Sequence, residues 1–203
     1  MNNQVFLKNA LLAFIVRFLG AMSLVLMNLI VARNMSINDS GLFFLAYSIF
    51  TAIGLFCTMG FTHAFLRFIG GFHEEGNWAG IKGVVFIGLK LSIISAVIFA
   101  LIIFYFADIL SVSFFLKPEL AIFIQIIFIG LPAFVCFQLL AFFFQAINQT
   151  SKSITLINIS VPILVVLSLL LFLSFGYKID SKLISYIFLL SVLATSLLSI
   201  FWW

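Results

Sequence analysis

Residues 81–107 read IKGVVFIGLKLSIISAVIFALIIFYFA, an apolar run whose only charges are Lys82 and Lys90. A helix needs about 20 such residues to cross the hydrocarbon of a bilayer, and this stretch exceeds that length. Five more runs of the same kind occupy 9–32, 42–67, 120–146, 154–175 and 183–203. The connections between them are short, little more than room to turn the chain round. The pattern predicts an all-α fold, a polytopic bundle of six transmembrane helices forming one unit over 1–203.

Composition supports the same reading. Of 203 residues, 65% are hydrophobic and 8% charged, and no soluble fold could hide that much apolar side chain from water. Membrane lipid is therefore the first expected partner. The net charge of +4 is scattered, as it is when basic residues flank membrane helices, and nucleic acid is not expected. Cys57 and Cys136 lie inside apolar runs without metal spacing, so they read as buried and inert. His63 and His73 are isolated and form no HExxH arrangement. Arg17 interrupts the apolar region that a cleaved signal peptide would need.

Boundary signals are ordinary. Asn38, Asp39 and Ser40 offer caps for the second helix, Pro118 and Glu119 suit the first turn of the fourth, and Asp180 with Ser181 caps the sixth. The widest connection, 68–80, carries His73, Glu74, Glu75, Asn77 and Trp78 and reads as an interfacial loop or short surface helix. With the N-terminus inside, Lys8, Arg67, Lys82 and Lys152 face Arg33, Lys117, Lys178 and Lys182 in a tie. Arg17 and Lys90, each nearer an inner end, tip the orientation toward a cytoplasmic N-terminus. The last run stops at Trp202 and Trp203 with no polar tail, which reads as an interfacial end or as a chain cut between helices.

Function has to be sought in polar groups that lipid should have excluded. Arg17 lies about eight residues into the first run, about 12 Å deep at 1.5 Å per residue. Arginine at a helix centre costs ~2.5–3.5 kcal/mol on insertion scales, and snorkelling to the headgroups recovers part of that. However, Arg17, Gly20, Ala21, Leu24 and Asn28 share one helical face that carries the polar and small residues of this stretch, and such a face turns inward. In the second helix Tyr47, Thr51, Gly54 and Thr58 repeat the pattern, as a packing seam or as a cavity wall. Lys90 enters the third helix at a similar depth. Gln125, Gly130, Pro132, Gln138 and Gln145 mark the fourth, and Asn158 and Pro162 the fifth. Proline inside a helix removes a backbone bond and kinks it, and such breaks line cavities or flex in transporters.

No carboxylate lies mid-membrane: Asp39, Glu74, Glu75, Asp108, Glu119 and Asp180 all belong to loops or helix ends. A proton- or sodium-driven antiporter generally binds its ion on an intramembrane acid. No paired carboxylates, nucleophile–base dyad or metal cluster can be assembled, so neither enzyme chemistry nor a metal or cofactor is expected. The intramembrane ions are cations, which suit an anionic headgroup such as a phosphate or pyrophosphate. The expected anion contacts are Arg17 first, then Lys90 and Arg67 at the inner mouth. Asn28, Tyr47 and Gln125 are the candidate cavity-lining residues.

The opening KNALLAFIVRFLGAMSLVLMNLIVARNMSINDSGLFFLAYSIF resembles the N-terminus of bacterial polysaccharide (O-antigen-type) flippases, within the multidrug/oligosaccharidyl-lipid/polysaccharide exporter superfamily. The shared features are Arg17-x-x-Gly20 in helix one, Ala32–Arg33 before a short loop, and Gly41–Leu42–Phe43 opening helix two. Gly60–Phe61, Arg67–Phe68–Ile69, the acidic Glu74–Glu75–Gly76 and the stretch 141–152 follow in order. The likeness covers most of the chain and is strongest over 1–80. It implies one lobe of a two-lobed transporter, with the second lobe absent from this sequence and related by an axis along the membrane normal. It further implies translocation of a polyprenyl-(pyro)phosphate-linked oligosaccharide across a bacterial inner membrane, for O-antigen or capsule synthesis, beside other polysaccharide-assembly proteins. A small-molecule exporter of the same superfamily and a non-transporting half-protein are the alternatives.

Overall fold

Every long element of the computed structural model is helical, and each helix begins or breaks where the backbone chemistry changes. The structure describes residues 3–176 and 179–203, with side chains from residue 14 onward except at 181. Lys178 and the side chains of Lys8 and Ser181, which entered the charge count and the sixth helix's cap, lie outside the described residues. The first helix, α1 (Asn3–Asn34), and the second, α2 (Ile37–Cys57), are joined at Ser36. The Ser36 hydroxyl accepts from the Asp39 amide at 3.0 Å. The cap is thus Ser36, upstream of the expected Asn38–Ser40 group, because that serine is where the chain is extended and can reach a free N–H.

The run 42–67 is not one helix. α2 stops at Cys57, Met59 and Gly60 take φ values of 50° and 76°, and the chain restarts as α3 (Phe61–Ala64). A π-helical turn (Phe65–Ile69) and α4 (Gly70–Glu74) continue it. Irregular backbone at membrane depth must find its hydrogen bonds within protein. Here the Thr58 carbonyl accepts from the Phe61 amide at 2.9 Å and from the Ser92 hydroxyl at 3.3 Å. Of the two readings for 68–80, the short helix holds as far as Glu74, and Asn77 caps the next element through the Gly80 amide.

That element is α5 (Trp78–Ile109), extended by a π turn at Leu110–Phe114. The run 120–146 divides into α6 (Leu120–Phe128) and α7 (Leu131–Ala146), bent by 52° at Ile129–Gly130. Pro132 sits in the first turn of α7, where its missing N–H is harmless. Glu119 does not cap α6 with its side chain; the carboxylate instead accepts from the Asn38 amide at 2.9 Å and ties the α1–α2 turn to the start of α6. The fifth run is α8 (Thr150–Ile154), a π turn (Thr155–Ser160) and α9 (Val161–Ser174). The sixth is α10 (Ser181–Trp202).

Among the described residues, five helices are long and apolar enough to cross a membrane, and six crossings result if the bent α6–α7 pair is one. α7 is the centre of the bundle. It packs on α5, α10, α8, α2 and the Phe65–Ile69 turn, and its residues from Val135 to Ala141 are all buried. Phenylalanine fills the core: Phe43, Phe50, Phe65, Phe128, Phe137, Phe144 and Phe188 are fully buried. Cys57 and Cys136 are buried free thiols. The outer surface is hydrocarbon, with Phe86, Ile87, Leu101, Tyr105 and Leu197 all exposed, as a lipid-facing protein requires. The chain is a multi-pass membrane protein.

Candidate functional site: a cavity beside the first helix

α1 packs on α9 and on the Thr155–Ser160 turn, leaving a cavity of about 450 Å³ between itself and α2, α7, α9 and α10. Its wall on α1 is Arg17, Gly20, Ala21, Leu24 and Met27. Four of these belong to the face expected from periodicity; the fifth is Met27, and Asn28 lies exposed beside it. A 3.6-residue period carries the stripe round the helix by a fixed angle, so after Leu24 the inward position passes to Met27. Arg17, Ala21 and Leu24 are themselves exposed, so the cavity is open along α1. In the observed helix Arg17 is about 20 Å from Asn3 and about 25 Å from Asn34, at 1.5 Å per residue, which places it near the middle.

The opposite wall is aromatic. Tyr47 of α2 stacks on Phe43 with ring centroids 6.5 Å apart and meets Phe188 edge-on at 5.4 Å. Phe188 in turn meets Phe50 at 5.6 Å, Phe50 meets Phe134 at 5.1 Å, and Phe134 meets Phe137 at 5.2 Å. Edge-to-face pairs of this kind hold rings in place. The Phe134 ring can seat because Gly54 of α2 has no side chain there.

The third wall is the Thr155–Ser160 turn and the start of α9, which supply Ile157, Asn158, Val161 and Pro162. Pro162 has no N–H, so the Asn158 carbonyl four residues earlier loses its ordinary helical donor. Gly20 lets α1 come close here: a Cβ at Gly20 would fall 2.7 Å from the Asn158 Cβ.

Arg17 and Tyr47 are thus brought together, and Lys90, Arg67, Asn28 and Gln125 do not line this cavity. Lys90 is exposed on α5, which contributes nothing to the wall. Arg67 is exposed in the Phe65–Ile69 turn, its guanidinium carbon 5.9 Å from the Phe68 ring centroid. Gln125 is half-buried in α6. The physical reason is the same for all: depth along a run is legible from sequence, but the neighbour each face meets is not. Asn158 and the Phe134, Phe137 and Phe188 rings enter as lining residues. Only Asn158 carried a signal, a polar residue four before a proline; nothing separates these phenylalanines from the other members of a set of 28.

Chemically the described residues of the wall offer one cation, one phenol and one amide on an otherwise apolar lining, with no carboxylate among them. Its volume is that of a small-molecule site. Two further hollows, about 340 and 350 Å³, are lined by hydrocarbon side chains alone. No family model, curated protein or solved structure matches the chain.

Proposed function

We propose that this chain is one lobe of a bacterial inner-membrane flippase that carries a polyprenyl-(pyro)phosphate-linked oligosaccharide in O-antigen or capsule synthesis. The observation that carries the reading is Arg17, a cation inside the first apolar run and on the wall of an open cavity, with no acidic residue among the described residues of its lining. A charge so placed is expensive in hydrocarbon and marks a substrate or ion path by default. Guanidinium forks bind phosphate oxygens in pairs. The aromatic wall beyond it accommodates the sugar unit, and the polyprenyl tail stays in lipid. The likeness of the opening residues to polysaccharide flippases supports the same substrate.

In this reading the N-terminus is cytoplasmic and six crossings return the chain to its starting side. A second lobe, from further chain or from a partner, faces the open side of the cavity, and the two rock to expose it alternately. The protein acts as a carrier, not an enzyme. A drug exporter of the same superfamily is disfavoured, since a cationic cavity repels the cations such exporters commonly carry and offers no acid to couple an ion.

The test is Arg17→Cys probed with a membrane-impermeant thiol reagent. Cys57 and Cys136 are buried, so the background is low. Labelling from one or both sides of folded protein is expected; none would remove the aqueous path on which the transporter reading stands. Arg17→Ala should abolish complementation of a flippase-deficient strain at normal insertion levels.

A further inference from the structure

We infer that Asn158 reads a sugar hydroxyl of the ligand whose phosphate Arg17 holds, and so sets a preference for glycosylated over unglycosylated polyprenyl phosphate. The inference rests on the proposed anion role of Arg17 and adds the residue that recognises the group attached to the anion.

The first argument is donor–acceptor matching. Among the described residues, the polar side chains in the cavity wall are Arg17, Tyr47 and Asn158. Arginine only donates, and phosphate oxygens of a diester only accept, so Arg17 alone satisfies a bare phosphate. An asparagine also presents a carbonyl, which is matched only by a ligand bearing O–H or N–H groups. Once a bound ligand excludes water from the wall, a polar group left unmatched there discriminates against the analogue that lacks its partner. A phosphate ester carrying hydroxyls satisfies both residues at once.

The second argument is position. Gly20 is three residues after Arg17, about 4.5 Å along the axis of α1, and Asn158 sits directly against Gly20. A Cβ there would fall 2.7 Å from the Asn158 Cβ and 3.4 Å from its backbone oxygen. The Asn158 Cβ therefore stands within about one helical turn, measured along α1, of the Arg17 backbone, and both residues line the same cavity.

The third argument is the backbone. Asn158 is exposed and lies inside the Thr155–Ser160 π turn, a departure from α geometry that gathers at functional sites. The Ser160 hydroxyl donates to the Thr155 carbonyl at 3.0 Å and closes that turn, and Pro162 denies the Asn158 carbonyl its usual donor. Three separate features, a glycine on α1, a π turn and a proline, converge on presenting one amide to one cavity.

The test uses two probes of equal charge, a polyprenyl phosphoryl hexose and the corresponding polyprenyl methyl phosphate, binding to the full chain in lipid nanodiscs. Wild-type protein should bind the hexose-bearing lipid about tenfold more tightly, the difference made by one matched hydrogen bond. Asn158→Leu, which keeps the Cβ against Gly20, should bind both equally. Asn158→Asp keeps the acceptor and the shape, so it should weaken both probes by charge while retaining their ratio. Arg17→Gln should weaken both alike. A full hexose preference in Asn158→Leu, or none in wild type, overturns the inference. The anion role fails separately, if Arg17→Gln binds both probes as tightly as wild type. Binding of neither probe by wild type overturns both.

Discussion

At the level of single residues, three glycines have different reasons to be there, and substitution should separate them. Gly20 is a contact: an added Cβ meets the Asn158 Cβ, which has no freedom to swing away. Gly20→Ala should lower stability in detergent by about 1–3 kcal/mol, the range for overpacking, seen as a lower thermal midpoint. Gly60 is a conformation: φ is 76° and nothing lies within 4 Å of an added Cβ. Gly60→Ala should cost about 1–2 kcal/mol through the left-handed backbone alone. Gly41 is neither, a helical glycine in open space within α2, and Gly41→Ala should stabilise by about 0.5–1 kcal/mol. Three midpoints measured side by side check all of this. Arg17 was legible as a candidate at this scale because charge in a run of hydrocarbon is rare, and it lines the cavity. Lys90 carried the same signal and Arg67 stood at the end of a run, yet neither lines the cavity, since the direction a side chain faces depends on a partner helix that sequence does not name.

For the elements, the apolar runs were legible and their interruptions only in part. Prolines announce themselves, and the two that lie within apolar runs both sit at irregularities: Pro132 just past the 52° bend and Pro162 just past a π turn. The break at Thr58–Gly60 lies inside a run that hydropathy alone cannot divide, and it persists because Ser92 of another helix supplies a hydrogen bond to Thr58. Ser92→Ala should loosen that break, seen as faster hydrogen exchange around Met59–Phe61. Pro162→Ala restores a donor for the Asn158 carbonyl and should draw the π turn toward a regular helix, turning residue 158 from the cavity. Water-soluble thiol labelling of Asn158→Cys should then fall when Pro162→Ala is added; unchanged labelling would mean that packing against Gly20, and not the proline, holds the turn.

Over the whole molecule, a hydrocarbon exterior is expected to make lipid or detergent indispensable. The chain should stay in the membrane pellet after alkaline carbonate washing, and extraction by carbonate would contradict a spanning bundle. Cohesion among the ends is modest by comparison. Lys152 lies 5.1 Å from the Phe144 ring centroid and 5.9 Å from that of Trp202, joining α8, α7 and α10. Lys152→Met keeps the stem and removes the cation, so it should cost about 0.5–2 kcal/mol, read as a small drop in the same thermal midpoint.

Length and hydropathy were enough to determine that this chain is helical, crosses a membrane several times and carries a cation inside an apolar run, because those outcomes follow from local transfer free energies that each segment carries by itself. Tertiary packing alone decided that Arg17 shares a wall with Tyr47 and Asn158, that α7 is the buried centre, and that Lys90, Arg67, Asn28 and Gln125 lie off the cavity. The reason is that contacts between helices depend on shape, on where a glycine lets two backbones approach and on which rings interlock, and those are properties of pairs of segments that neither carries alone.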